Sequence, residues 1–314
     1  MNVRRTNKTG LIGAALIAVC TAAPMVAQVP DREGPVDEIT AMAMEGPLAQ
    51  VPFGPGEHLR YKVKWGIFNI GEGHLEVNEV DTVRGHPTYH LSMRMKGGKL
   101  GMHVDDHHQS WVDVRNLVSL RFIQDIDEVN YERYRHYEFY PEDMSYERVD
   151  LSETDDLATP LPLDDIAFVY FARTLPLEVG ETYTVPRYFK ESGNPVVIKV
   201  LRKEVKEVPA GTFNTVVVQP IIKTRGMFSE DGNAELFFTD DERRLLVYMK
   251  TDFSIGNLTL HLEEVSEGTS LNPLDIEPRQ ADDTPEDQPP PSQPDAALRG
   301  VGSDERGEPA EGSR

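Results

Sequence analysis

Hydrophobic and polar residues alternate with a period of two through most of the chain between positions 51 and 265. The clearest examples are HLRYKVKW (58–65), TYHLSMRMK (88–96) and GNLTLHLEEV (256–265). This alternation is typical of strands with one buried and one solvated face, and it predicts an antiparallel sheet. The apolar faces are expected to share a dry interior lined by Leu59, Tyr61, Trp65, Leu91, Met93, Leu258 and Leu260.

Ten further segments have strand character and are separated by turn-forming residues such as Arg84-Gly85 and Asp231-Gly232. These predicted strands are Gly73–Val80, His107–Val114, Ser119–Glu128, Tyr131–Tyr140, Ser145–Leu151, Thr182–Phe189, Val196–Val208, Phe213–Ile222, Glu235–Thr239 and Leu245–Asp252. The regularly spaced helices that parallel strands need for their crossovers are not indicated. The pattern therefore predicts an all-β antiparallel fold, either a curved sandwich or a partly open barrel.

One segment, DDIAFVYFARTLP, has helical rather than strand periodicity. Either Asp164 or Asp165 could accept hydrogen bonds from the free amides at its start, and Pro176 would end it. We predict a single short helix over residues Asp165–Leu175, between two strand-rich halves.

The composition divides the chain into four parts. Residues 1–27 combine Arg4, Arg5 and Lys8 with a short apolar stretch, Leu11 to Val19, and a cleavage site after Ala27, which is typical of a signal peptide. Residues 28–50 predict a linker and residues 51–265 a single β domain. Residues 266–314 are acidic, rich in proline and without aromatic residues, which predicts a disordered tail.

Two other routes of export compete with plain cleavage after Ala27. Arg4-Arg5 is a feature of the twin-arginine route, but the apolar residues that usually follow are missing. Cys20 could mark a lipoprotein, but Val19 stands where a small residue is normal. We expect an exported protein, periplasmic or envelope-associated, with no transmembrane anchor. Loss of Cys20, the one cysteine, would exclude disulfides and thiolate chemistry from the mature chain.

The chain is strongly acidic, with a formal net charge of −21 at pH 7. Residues 1–27 carry basic and no acidic residues, so cleavage would make the charge still more negative. Nucleic acid would be repelled and is excluded as a partner. The sequence has none of the nucleophile-elbow, phosphate-loop, dinucleotide or zinc-protease motifs, which favours a non-enzymatic function. No cofactor is expected.

The segment HVDDHHQSWVD (103–113) is the most chemically suggestive stretch. In an extended chain, one face would carry His103, Asp105, His107, Gln109 and Trp111. His103 and His107 would then lie ~13 Å apart at Cα, too far to share one ion. A metal site would need Asp105 with His107 and distant ligands, for which His86, His90 and His136 are available. We favour the solvated beginning of a strand and assign no metal, catalytic or cofactor residue.

The run YERYRHYEFY (131–140) is a second candidate. One strand face would carry Tyr131, Arg133, Arg135, Tyr137 and Phe139, and the other Glu132, Tyr134, His136, Glu138 and Tyr140. Alternating aromatic and basic residues could contact a glycan or a lipid. Cross-strand packing is the favoured interpretation.

Five blocks occur in an order that resembles an exported bacterial family, domain of unknown function 3108. They are GEHLRYKVKWGIFNIGEGHLEV, HQSWVDVRNLVSLRF, DDIAFVYFARTLPLEVGE, VPAGTFNTVVVQP and FFTDDERRLLVYMKTDFSIGNLTLHLEEV, within 52–265. The resemblance implies a predominantly β envelope protein. It assigns no catalytic or binding residue.

Two functions from different classes follow. The favoured one is a non-enzymatic envelope protein that binds an apolar or glycan-like ligand, or a partner protein, in the concavity of its sheet. The alternative is a metal-assisted hydrolase that uses Asp105 and His107.

The leader generates the first prediction. We expect the exported protein to begin at Gln28, because the apolar stretch and Ala27 fit cleavage better than Cys20 fits lipidation. Intact-mass measurement of the exported protein tests this. A diacylglyceryl mass on Cys20 would show a lipoprotein instead.

Overall fold

Fourteen strands form one antiparallel sheet in a computed structural model of the protein. In chain order, β1 to β14 are His58–Trp65, Phe68–Val83, His86–Gly97, Val104–Asp113, Ser119–Glu128, Tyr131–Tyr140, Ser145–Arg148, Glu153–Asp156, Thr182–Val185, Val196–Val208, Gly211–Ile221, Glu235–Thr239, Leu246–Phe253 and Gly256–Ser266. Among the described residues, one α-helix, α1, spans Asp165–Ala172, and 3₁₀ turns span Pro141–Asp143 and Glu191–Gly193. The predicted all-β antiparallel fold with one short helix is confirmed.

The structure describes residues 50–98, 103–128, 131–222, 233–253, 256–272 and 275–276. The predicted signal peptide (1–27), nearly all of the linker and most of the predicted tail lie outside the described residues. None of the described helices is long and apolar enough to span a bilayer.

The sheet consists of two meanders, β1 to β8 and β9 to β14, which are joined by pairing between β1 and β14. Each of β1 to β7 pairs with the strand that follows it, as does each of β9 to β13. The sheet is therefore open, with β8 and β9 at its two edges. All four residues of β8, ETDD, are exposed, and such charged edges oppose pairing with another chain.

The period-two pattern of the sequence corresponds to the two faces of this sheet. In β1, the inward residues Leu59, Tyr61 and Val63 are buried, whereas the residues between them are partly exposed. β1 also shifts register against both neighbours, at Arg60/Tyr61 against β14 and at Val63/Lys64 against β2. Such bulges bend a strand and increase its twist. Central bulges therefore favour a curved sheet with its apolar face inside.

Helix α1 is buried on all sides, from Ile166 to Ala172. A helix that is apolar all round belongs in a protein interior rather than at its surface. Asp164 is the residue that caps it, because its Oδ1 accepts from the amides of Ile166 at 2.9 Å and Ala167 at 3.0 Å. Ser110 Oγ donates to the other carboxylate oxygen at 2.5 Å. The cap therefore attaches the start of the helix to β4.

The end of α1 is held by a buried ion pair. Arg173, fully buried, donates to Glu57 Oε1 at 2.5 Å and Oε2 at 2.8 Å. It also donates to the carbonyls of Pro52 and Arg243, each at 3.0 Å. One guanidinium thus connects the segment before β1, the helix and the turn between β12 and β13.

Several predicted boundaries differ from the structure. α1 ends at Ala172 rather than Leu175, because the amides of Arg173, Thr174 and Leu175 donate to carbonyls three residues back, as in a 3₁₀ turn. Trp65 was expected in the dry interior but is partly exposed at the end of β1. Beyond residue 266, Thr269 N–H donates to Pro55 O at 2.8 Å, and Leu271 and Ile276 pack against the core.

The buried ion pair generates the second prediction. We expect Arg173→Met to lower the free energy of unfolding by about 3–5 kcal/mol, because Glu57 would remain as an uncompensated buried charge. Arg243→Met is the matched control, since its ion pairs with Asp241 and Glu267 are exposed and are worth roughly 0.2–1 kcal/mol. Urea unfolding measures both. Equal losses in the two variants would contradict the central role of Arg173.

Candidate functional site

A cavity of about 720 Å³ lies against the inner face of the sheet and helix α1. Its apolar lining comes from both meanders and includes Tyr61, Leu75, Met93, Phe122, Met249 and Leu260. Val169 contributes from α1. Four of the residues predicted for the dry interior line this cavity: Tyr61, Met93, Leu258 and Leu260. Leu59 and Leu91 are buried in the surrounding core.

Gly73 on β2 leaves part of the inner face without a side chain. A Cβ atom at this position would be 3.4 Å from Val63 Cγ2, 3.6 Å from Tyr61 Cβ and 3.8 Å from Leu260 Cδ2. These are ordinary contact distances, so the glycine is not required by close backbone packing. Its effect is to widen the cavity.

A polar wall faces this apolar lining across β4, β5 and β6. In the register of the sheet, His108 lies opposite Gln124, and Gln124 opposite Arg135. On the same inward face of β6, Arg133 lies opposite Ile126. The inward residues of three neighbouring strands thus form a polar surface inside a largely apolar cavity.

Burial changes the protonation of two groups on this wall. The pKa of Asp106 is raised to about 6 by burial and by nearby Glu128. The pKa of His108 is lowered to about 4 by burial and by the positive charge of Arg133. His108 is therefore neutral at pH 7, and its Nδ1 lies 3.4 Å from Gln124 Nε2. Within the described part of the chain, Asp106 Oδ1 is buried without a hydrogen-bond partner.

Besides Arg94, which is paired with Asp105, three cationic side chains line the cavity: Arg133, Arg135 and Lys190. Asp165, the first residue of α1, faces the same space and accepts a hydrogen bond from Tyr188 Oη at 3.3 Å. Burial raises the pKa of Asp165, and the positive charges of Lys190, Arg135 and Arg133 oppose this shift. The inner end of the cavity is buried, whereas Glu128 and Ser192 at its rim are exposed.

The candidate metal pair Asp105 and His107 lies on the opposite, outer face of β4. Arg94 donates from Nε to Asp105 Oδ1 at 2.8 Å and from Nη2 to Oδ2 at 2.9 Å. Lys96 Nζ lies 3.4 Å from Asp105 Oδ2. Both carboxylate oxygens are thus engaged, and the pKa of Asp105 is lowered by its hydrogen bond to Arg94. Burial lowers the pKa of His107.

The other residues of this segment have separate partners. His103 Nε2 lies 3.1 Å from Asp127 Oδ2, and Gln109 Oε1 lies 3.0 Å from His90 Nε2. Trp111 stacks on His90 with ring centroids 4.3 Å apart. His86 and His136, two of the distant histidines available as metal ligands, also have other partners. His86 Nδ1 lies 3.5 Å from Asp113 Oδ2, and His136 Nε2 lies 2.8 Å from Glu138 Oε1. These histidines therefore do not join Asp105 and His107 in one cluster.

The segment that begins at His103 is predicted to be the solvated beginning of a strand, and this is wrong for Asp106 and His108, which lie on the inward face of β4. Asp106 is only 5 % exposed, and both Asp106 and His108 line the cavity. The physical reason is the strand itself, since neighbouring side chains on β4 point to opposite faces. The residues that the sequence placed together, Asp105 and His107, share the outer face.

A different set of side chains has metal-binding chemistry. Within the described residues, His58, His74 and Glu76 bring three ligand atoms within 4.8 Å of one another. His58 Nε2 lies 2.8 Å from His74 Nδ1 and 3.2 Å from Glu76 Oε1. Ser92 Oγ donates to Glu76 Oε2 at 3.2 Å. The donor set suits zinc or a related ion, but the same contacts form a self-sufficient hydrogen-bonded cluster.

The aromatic run 131–140 follows its predicted alternation. Tyr137 and Phe139 are buried and stack with their centroids 6.1 Å apart, which confirms packing for this part of the run. On the same face, Arg133 and Arg135 line the cavity. The alternation of side chains along residues 131–140 is the sequence signal that places Arg133 and Arg135 on one face of the strand. No comparable signal pointed to Lys190 or to the His58 cluster, since both depend on contacts between distant segments.

Comparison with known proteins gives one family match. The profile of the family described as "Protein of unknown function (DUF3108)" matches residues 60–263. No curated protein matches the chain.

Two solved structures show weak similarity. A β-barrel-like protein of domain of unknown function DUF1849 from Brucella abortus is 10 % identical with a TM-score of 0.47, covering 69 % of this chain and 99 % of that one. The hypothetical protein CT021 from Chlamydia trachomatis is 8 % identical with a TM-score of 0.31, covering 68 % and 87 %. Scores below 0.5 do not establish a shared fold.

The outer face of β4 generates the third prediction. We expect Asp105→Ala and His107→Ala to leave the metal content of the purified protein unchanged, because the carboxylate of Asp105 already binds Arg94. Asp105→Ala is expected to lower the free energy of unfolding by roughly 0.2–1 kcal/mol, because it removes a partly exposed ion pair with Arg94, and His107→Ala by about 0.5 kcal/mol. Elemental analysis and urea unfolding measure both effects. Stoichiometric zinc that disappears in either variant would support the hydrolase alternative.

Proposed function

The chain belongs to the family of proteins of unknown function DUF3108, and we propose that this member is an exported, non-enzymatic envelope protein that binds an apolar ligand in its cavity. The observation that carries the proposal is the cavity itself, with apolar side chains from both meanders and from α1. Its volume of about 720 Å³ is within the range of about 300–1,000 Å³ that is usual for small-molecule sites.

The lining supports an apolar ligand over a glycan. A glycan presents many hydroxyl groups, which need polar partners when water is removed. Here Tyr61, Leu75 and Met93 form one continuous apolar wall with Met249 and Leu260. Methionine side chains are flexible and polarizable and adapt to ligands of irregular shape. A partner protein is the third candidate for what this protein binds, and it would contact the outer surface or the rim of the cavity.

The proposed location rests on the leader and the charge of the chain. Residues 1–27 have the pattern of a cleaved signal peptide, and release after Ala27 would place the protein in the periplasm or at the envelope. The net charge of −21 opposes binding to nucleic acid. We further propose that residues 51–265 act as one β domain that carries the ligand site.

The hydrolase alternative has little support from the geometry. Metal-assisted hydrolysis needs ligands with free lone pairs around one open coordination position. Both oxygens of Asp105 accept hydrogen bonds from Arg94. His107 and Asp105 also lie on the outer face of β4, away from the cavity that could enclose a substrate.

Filling the cavity generates the fourth prediction. We expect Gly73→Phe to abolish binding of the neutral fluorescent probe phenyl-naphthylamine, because the ring would extend from β2 into the cavity while Cβ makes ordinary contacts. Val205→Phe is the matched control, since Val205 is 64 % exposed on β10 and outside the cavity lining. Fluorescence titration measures binding, and urea unfolding verifies that both variants are folded.

Native mass spectrometry of the wild-type protein, purified from its host envelope, should also detect a bound lipid-like molecule. A wild-type protein that binds neither the probe nor a lipid would overturn the proposed function. Unchanged probe binding in a folded Gly73→Phe variant would show that binding occurs elsewhere.

A further inference from the structure

Three positively charged side chains converge on one part of the cavity. Arg133 and Arg135 are two residues apart on β6 and so project from the same face of that strand. Lys190 reaches the same cavity from the segment between β9 and β10. All three positive charges act on the carboxyl group of Asp165, which places them around a common region at the start of α1.

These cations have no ion-pair partner in the part of the chain that the structure describes. Ion pairs within 4.0 Å engage many other cations, such as Arg202 with Glu204 and Glu235. None joins Arg133, Arg135 or Lys190 to a described carboxylate. Arg133 Nε is buried and without an acceptor. In a chain with a net charge of −21, three cations without an ion pair on one wall of a cavity make that wall suitable for an anion.

Aromatic contacts orient two of the cations without neutralising them. Lys190 Nζ lies 5.3 Å from the ring centroid of Tyr137 and 5.2 Å from that of Phe189. The Arg133 guanidinium lies 5.5 Å from the ring centroid of Tyr131. Cation–π contacts hold a side chain in place, and its N–H groups remain available to a hydrogen-bond acceptor.

The carboxyl groups that face the cavity do not form ion pairs with these cations. Asp165 is one carboxyl group near three cations, it accepts a hydrogen bond from Tyr188, and none of the ion pairs within 4.0 Å among the described residues includes it. Asp106 lies on β4, separated from Arg133 on β6 by the intervening strand β5, and Glu128 is exposed at the rim. Within the described part of the chain, no ion pair within 4.0 Å joins Asp106 or Glu128 to Arg133, Arg135 or Lys190. The three cations therefore remain without an ion pair on this wall of the cavity.

We propose that the ligand is an amphiphile with an anionic head group, a carboxylate or a phosphate, bound by Arg133, Arg135 and Lys190. This rests on the proposed function, since the apolar part of the ligand would occupy the lining around Tyr61, Leu75 and Met93. Arginine donors match the geometry of carboxylate and phosphate oxygens, and charge-assisted hydrogen bonds are stronger than neutral ones. The head group lies on the polar wall toward the exposed rim, with the chain directed inward.

The test compares ligands that share one alkyl chain and differ in the head group. Dodecanoate, dodecyl phosphate, dodecanol and dodecyltrimethylammonium are titrated into the full exported protein below their micellar concentrations, with calorimetric detection. We expect at least one of the two anions to bind about 10-fold tighter than dodecanol, and the cation to bind weakest. The stronger of the two anions identifies the head group. Inorganic phosphate without a chain is expected to bind far more weakly than dodecyl phosphate.

Charge-neutral variants locate the head group. Arg135→Gln and Lys190→Gln are each expected to weaken binding of the preferred anion about 10-fold while leaving dodecanol binding unchanged. Lys199→Gln is the matched control, because Lys199 is an exposed cation on β10 outside the cavity lining. It changes the net charge equally and should leave all affinities unchanged.

The outcomes separate this inference from the function on which it rests. Equal affinity for dodecanol and both anions, or no effect of the variants on anion binding, overturns the anionic head group and leaves the apolar site intact. Binding of none of the four amphiphiles overturns the proposed function. Inorganic phosphate that binds as tightly as dodecyl phosphate overturns the amphiphile, because the chain would then contribute nothing.

Discussion

The structure depends on burying an apolar helix inside a sheet and satisfying the polar groups at both helix ends. A helix leaves amides free at its start and carbonyls free at its end, and burial without partners would be costly. Asp164 binds the first amides and is itself bound by Ser110. At the other end, Arg173 binds Glu57 and two backbone carbonyls. These two anchors attach α1 to separate parts of the sheet.

The cavity follows from the different sizes of the helix and the sheet. An eight-residue helix is about 12 Å long, whereas fourteen strands spaced about 4.8 Å apart form a sheet several times wider. One helix therefore cannot cover the whole inner face. Aromatic side chains such as Tyr137, Phe139 and Phe189 fill part of the remaining space. Between Tyr61 on β1 and Phe122 on β5, space is left for a ligand.

The distribution of charge gives this space its chemical character. The chain is acidic overall, and many cations in the described part of the chain are paired with carboxylates, as Arg94 is with Asp105. The inward cations Arg133, Arg135 and Lys190 have no ion pair within the described residues, although each lines the cavity and is only partly exposed. The cavity thus combines an apolar lining with a localised positive area, which is the complement of an anionic amphiphile.

The sequence by itself determined the strands, their two faces and the helix, because alternation and helical spacing depend only on local geometry. It even placed Arg133, Arg135 and Tyr137 on one face of β6. Only the tertiary structure decided which face of β4 surrounds the cavity, so that Asp106 and His108 lie inside and Asp105 lies outside. Pairing between distant strands and the position of α1 set these contacts, and neither is encoded in the spacing of residues within one strand.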